Sequence, residues 1–273
     1  MASRFWVGGT GTWDASDTTH WAQSSGTAGG FSVPGPGDSV TFDANSGGGT
    51  ATVSGFTPSV GNVVTTASVT GIAFGSNGIT YGTWTNTSGT SAINFGSGTI
   101  ASTATSGNIF LMASSSNVTA SSATFTFAGG GASARTITFG TVSYGTVSFA
   151  ANSSGGGWTI TGACTIGTLT IAAPNTLSLA ASTTYTITNA LTLTGASGSA
   201  IALQSGTFGT SFTLALGAAS TGTWCSLRDM TNTTSSFTLT NSFDLGRNTF
   251  TGGGSISAPS GGGGGGVVGV IGG

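Results

Sequence analysis

Triplets of the form apolar, small, apolar return along this chain at a nearly constant interval, and that period restricts the fold more than any other feature. They read Ile72-Ala73-Phe74, Ile93-Asn94-Phe95, Phe125-Thr126-Phe127, Val147-Ser148-Phe149, Leu169-Thr170-Ile171, Leu191-Thr192-Leu193, Phe212-Thr213-Leu214 and Phe237-Thr238-Leu239. Counted from the first residue of each, most steps agree to within one position, and the run Phe125, Val147, Leu169, Leu191 repeats without any drift. A second series, Ile137-Thr138-Phe139, Trp158-Thr159-Ile160, Tyr185-Thr186-Ile187 and Ile201-Ala202-Leu203, falls between members of the first, as expected if each turn of a solenoid carries more than one strand. Alternation sends the two apolar residues of a triplet to one face and the small residue to the other.

One coil of this length buries about four large side chains at roughly 1.5–3 kcal/mol each. Ordering its backbone costs about 1–2 kcal/mol per residue. A single coil therefore does not fold alone, whereas a stack shares one core and satisfies each coil's backbone groups on its neighbours. The fold predicted is an all-β parallel β-helix, or β-solenoid, of roughly 22-residue coils. The competing fold is a β-sandwich or jelly roll, which has no reason to keep one spacing for most of its length.

An unpaired terminal coil is a sheet edge that templates aggregation, so a solenoid needs caps. Residues 1–49 read as an N-terminal cap or attachment region, in which Trp6, Trp13 and Trp21 are large enough to cover an apolar end. Residues 50–250 form the solenoid, and residues 251–273 a glycine-rich linker with an apolar tail. Six glycines, Gly261 to Gly266, read as flexible by composition. Val267, Val268, Val270 and Ile271 are expected to insert into a neighbouring subunit or partner, by strand addition.

Charge is nearly absent. Arg4, Arg135, Arg228 and Arg247 stand against Asp14, Asp17, Asp38, Asp43, Asp229 and Asp244, with no lysine or glutamate. Four cations supply little of the electrostatic term that dominates nucleic-acid affinity, so no nucleic-acid partner is expected. Neither is a membrane partner, since no segment approaches the roughly 20 apolar residues of a span. The N-terminal stretch lacks the apolar run of a secretory signal, which points to synthesis in a cytoplasm. Cys164 and Cys225 specify no disulfide framework and read as buried packing residues.

The opening Phe5-Trp6-Val7-Gly8-Gly9-Thr10-Gly11-Thr12-Trp13, then His20-Trp21, then Val33-Pro34-Gly35-Pro36-Gly37-Asp38-Ser39-Val40-Thr41-Phe42-Asp43, resembles the start of β-helical virion proteins of tailed bacteriophages. A similar pattern opens some repetitive bacterial surface proteins. Trp224-Cys225-Ser226-Leu227-Arg228-Asp229-Met230 and the stretch from Asn241 to Asn248 look like the last coils of such proteins. The resemblance implies a fibre, a head or tail appendage, or a capsid-decorating protein. It would be homotrimeric, bound to other virion proteins, located in the virion and able to meet a host-surface glycan. The bacterial version implies an adhesin-like protein.

Chemistry has little to work with, and neither an enzyme nor a cofactor is expected. His20 with Asp14 and Asp17 offers three candidate metal ligands in one polar loop, for which hydrogen bonding within the cap is the simpler role and no metal is expected. A polysaccharide-degrading β-helix needs clustered carboxylates, and the only comparable set is Arg228, Asp229, Asp244 and Arg247, where a structural ion pair is the competing role. Triplets such as Thr136-Ile137-Thr138, Thr159-Ile160-Thr161, Thr168-Leu169-Thr170 and Thr192-Leu193-Thr194 resemble ice-binding surfaces, a reading that requires them to align on one exposed face.

Overall fold

The computed structural model describes residues 1–66, 70–87, 92–112 and 117–260. The chain winds as a parallel β-solenoid with three sides, each a ladder of strands stacked coil on coil. On the first side lie Ser3–Trp6, Ser39–Phe42, 62–65, 83–86, Gly107–Met112, Arg135–Thr138, Trp158–Thr161, Asn175–Leu179, Ile201–Ser205, Cys225–Arg228 and Phe243–Asp244, each parallel to the next. On the second, 124–127 stacks on 146–149, 168–172, 190–194, Ser220–Thr223, Phe237–Thr240 and Gly254–Ile256. The third runs from Gly11–Trp13 through Gly49–Val53, Thr70–Ala73 and Ile93–Asn94 to Phe212–Leu216, Met230–Asn232 and Thr249–Phe250. Parallel pairing thus begins at Ser3–Trp6 and Gly11–Trp13, ahead of the repeating triplets.

Inward positions of one coil meet inward positions of the next. Phe125, Val147, Leu169 and Leu191 form one such column at a constant step, and Phe127, Phe149, Ile171 and Leu193 form another. Both residues of each triplet in the two sequence series are buried. Not every member of the first series shares a side, however. Phe212-Thr213-Leu214 stacks on the third side, with Leu214 opposite Tyr185, and the column of Leu193 continues at Gly222 and Leu239. The step from Leu191 to Phe212 keeps the period only because an enlarged coil begins there.

Corners depend on close backbone approach. Strand Cys164–Ala172 bends from the third side to the second at Gly167, and Ser143–Phe149 does so at Gly145. A Cβ on Gly167 would lie 2.6 Å from the Gly145 carbonyl oxygen, and one on Gly145 would lie 2.5 Å from that of Ala123. At these two corners the bend sits directly against the backbone of the preceding coil, a spacing only glycine permits.

Candidate interaction surface

The N-terminal end is closed by aromatic packing. Trp21–Ala22 runs antiparallel to Ser3–Trp6, on the edge opposite Ser39–Phe42, and so ends the parallel stack on the first side. Trp6, Trp13 and Trp21 are fully buried, with the Trp21 ring edge-on to both others at 5.1 Å. His20 stacks flat on Trp6 at 4.7 Å and its Nδ1 donates to the Val7 carbonyl at 2.8 Å. Its Nε2 lies 3.9 Å from Asp17 Oδ2. Asp14 is occupied in its own turn, accepting from the Ser16 and Asp17 amides at 2.7 Å. Among the described residues, no group of three or more His, Cys, Asp or Glu is placed to hold a metal ion.

Those turns have a pH consequence. Hydrogen bonds from the Ser16 and Asp17 amides, from the Thr19 hydroxyl and amide, and from the Ala2 amide hold Asp14, Asp17 and Asp38 respectively below the usual carboxylate range. Their contribution is present above the unfolded value near ~3.9 and is lost as pH falls through the folded ones. At the other extreme, burial raises the Tyr81, Tyr144 and Tyr185 phenols, and pushes the Cys164 thiol up to about 12 and that of Cys225 to about 11. Groups raised in the folded state stabilise it fully below their unfolded values, roughly 8.5 for Cys and 10 for Tyr, and less as pH rises beyond them. Urea midpoints should therefore be flat between about pH 5 and 8 and fall on both sides. A midpoint still rising above pH 10 would contradict this assignment.

The C-terminal end differs. At the corner joining the first side to the third, residues 206–211 make a loop between Ile201–Ser205 and Phe212–Leu216, while in the next coil Asp229 alone fills that corner. The longer loop overhangs the shorter turn. Asp229, buried and with φ 56°, receives the Gly209 amide on Oδ2 at 3.1 Å. Phe208 is left 70% exposed at the tip, with the Arg228 guanidinium 5.3 Å and that of Arg247 4.9 Å from its ring centre. Beside them on the last coil, Phe243 and Leu245 are 48% and 55% exposed.

Three of the five exposed large apolar residues among the described ones thus gather here. The structure brings together the four charged residues singled out from sequence, but not as a pair of open carboxylates. Arg228 Nε lies 3.5 Å from Asp229 Oδ2, and Asp244 Oδ1 accepts from the Gly246 amide and from Asn248 Nδ2, at 2.8 and 2.6 Å. What the corner offers is an exposed aromatic ring flanked by two guanidiniums, in a group of four charges that sum to zero. The chain matches no protein family, no curated protein and no solved structure.

The remaining walls are uncharged. On the second side, outward Thr124, Thr146 and Thr168 form one column and Thr126, Ser148, Thr170, Thr192, Thr221 and Thr238 another. The triplets at Thr136 and Thr159 stand on the first side instead. Val267, Val268, Val270 and Ile271 lie outside the described residues. Sequence reasoning missed Phe208, although an aromatic inside Ser205-Gly206-Thr207-Phe208-Gly209-Thr210-Ser211 was a usable signal, since nothing in such a turn buries it. It also missed Arg135, which is fully buried, lies 3.6 Å over the Trp158 ring and donates to the Ala128 carbonyl at 2.8 Å. Arg135→Lys is expected to lower stability by about 1–3 kcal/mol, because an ammonium reproduces neither the fork nor the stacking; an unchanged melting temperature would show that the fork contributes nothing.

Proposed function

We propose that this chain is a structural virion protein of a tailed phage, a fibre, appendage or capsid-decorating part that assembles with itself and with other virion proteins and performs no catalysis. One observation carries the reading: a stack of coils whose walls are uncharged threonine, serine and alanine leaves its large apolar side chains exposed at the ends. Charge is the usual means of keeping sheet surfaces apart, and walls without it suit permanent neighbours. The resemblance of the terminal stretches to β-helical virion proteins supports the rest of the reading, including a trimer and assembly where the chain is made.

Sedimentation velocity with circular dichroism on the purified chain tests this. An elongated, strand-rich oligomer supports it, and a compact monodisperse monomer at every concentration overturns it. A second reading, recognition of ice or ordered water, is favoured by the aligned threonine columns of the second side. Thermal hysteresis that Thr146→Lys and Thr170→Lys abolish would establish that reading in place of the first.

A further inference from the structure

The last coil is paired on one edge alone. Phe243–Asp244, Thr249–Phe250 and Gly254–Ile256 each stack on the coil before and have no strand on their other edge among the described residues. Burial stops at the same place. Leu239 is fully buried, whereas Ile256, its register partner one coil later, is only partly so, as is Phe250 opposite the buried Asn232. An open edge with half-covered apolar side chains calls for a partner. The chain is still winding as it leaves this coil. The Ser242 amide donates to the Ser257 carbonyl at 2.8 Å, as the Trp224 amide does to the Thr240 carbonyl one coil earlier at 3.1 Å. Ser257 thus stands where Thr240 stands in the coil before, at the corner that leads back to the first side.

The final coils keep constant steps on two sides. On the third, Phe212 pairs with Met230 and Thr231 with Thr249 at one step; on the second, Ser220 pairs with Phe237 and Phe237 with Gly254 at another. Taken once more, the step from Asn232 to Phe250 reaches Val268, and that from Phe237 to Gly254 reaches Ile271. Asn232 and Phe237 are buried, so both columns run inward, and each would gain a β-branched apolar residue suited to a strand. On the first side, the step from Leu227 to Asp244 reaches Gly261, which sets no side chain against the carboxylate. We propose that residues 261–273 wind one further coil on their own chain, with Val268 over Phe250 and Ile271 over Gly254, and so close this end of the stack. The occupant is the chain's own segment because Ser257 already delivers it to the corner, which makes the contact intramolecular. Insertion into a neighbouring subunit, the expectation from sequence, needs the same residues and competes with it. Ordering six glycines is costly, so this coil is the weakest of the stack and the first to open. Closed, it blocks sheet pairing with other chains at this end. Such closure is independent of the virion reading.

Disulfide trapping in the full chain tests this. Thr249→Cys with Val267→Cys sets a pair one coil spacing apart, ~4.8 Å, within the reach of a disulfide. Thr213→Cys with Val267→Cys sets the same segment three coil spacings from its target, about 14 Å away and beyond that reach, since Thr213, Thr231 and Thr249 are successive register partners. The native Cys164 and Cys225 are both buried. At high dilution under mild oxidation, the first pair should close within one chain at least about tenfold faster than the second. Adding Val268→Asp and Ile271→Asp should remove that difference. Equal rates for the two pairs, or closure of neither, would show a segment with no fixed place on the last coil and overturn the inference. Disulfide-linked dimers formed by the first pair alone would seat the segment on a second copy, which equally overturns closure within the chain.

Discussion

Trp21→Ala is expected to destabilise the folded chain by about 3–5 kcal/mol, the cost of emptying a large aromatic site in a packed core. Trp21 closes the first side of the stack: it is fully buried, touches Trp6 and Trp13 edge-on, and brings the antiparallel strand that ends parallel pairing there. Removing it opens a cavity over Trp6 and Phe42 and loosens the strand that hides the edge of Ser3–Trp6. The variant should unfold at lower urea and aggregate on heating, since a bared edge recruits other chains. Trp21→Phe should cost much less, because the Trp21 Nε1 has no hydrogen-bond partner to lose. Equal losses for the two would show that the ring volume is not what closes the end.

Gly167→Val is expected to be at least as damaging, and for the opposite reason. A side chain there would press on the Gly145 carbonyl oxygen, 2.6 Å from an ideal Cβ, and that atom is backbone already fixed by its own coil. Over-packing usually costs about 1–3 kcal/mol, and more where nothing flexible gives way. Here the bend of Cys164–Ala172 has to lift off the coil beneath, which breaks pairing on both sides of the corner. Thr170→Ala, on the same strand and outward, should stay within about 0.5 kcal/mol of the parent. Urea titration of the three proteins decides it, and a Gly167→Val chain as stable as the parent would mean that the coils do not stack this closely.

The solenoid was legible in the sequence because a parallel stack writes its own period: Phe125, Val147, Leu169 and Leu191 occupy equivalent places in successive coils and need equivalent side chains. Legibility failed where coil length changed. Leu193 stacks on Gly222 across a long coil, and Gly222 on Leu239 across a short one, so a search for constant steps missed Gly222 and took Phe212-Thr213-Leu214 in its place. Phe208 arises from that same irregularity, as part of the loop added to the long coil. Its exposure depends on the short Asp229 corner beneath it, a relation between two coils that no local pattern records. Arg135 escaped for a related reason. Its place in an inward column follows only from the pairing of Arg135 with Trp158.

The most direct test of the solenoid places nitroxide spin labels at Thr124→Cys, Thr146→Cys and Thr168→Cys together, with Cys164 and Cys225 unreactive in the folded protein because both are buried. The three sites are register partners on outward positions of consecutive coils. Labels stacked at ~4.8 Å should give one strongly spin-exchanged electron paramagnetic resonance spectrum. A spectrum equal to the sum of three singly labelled chains would contradict the parallel stack and with it the proposal that this protein is an assembling rod.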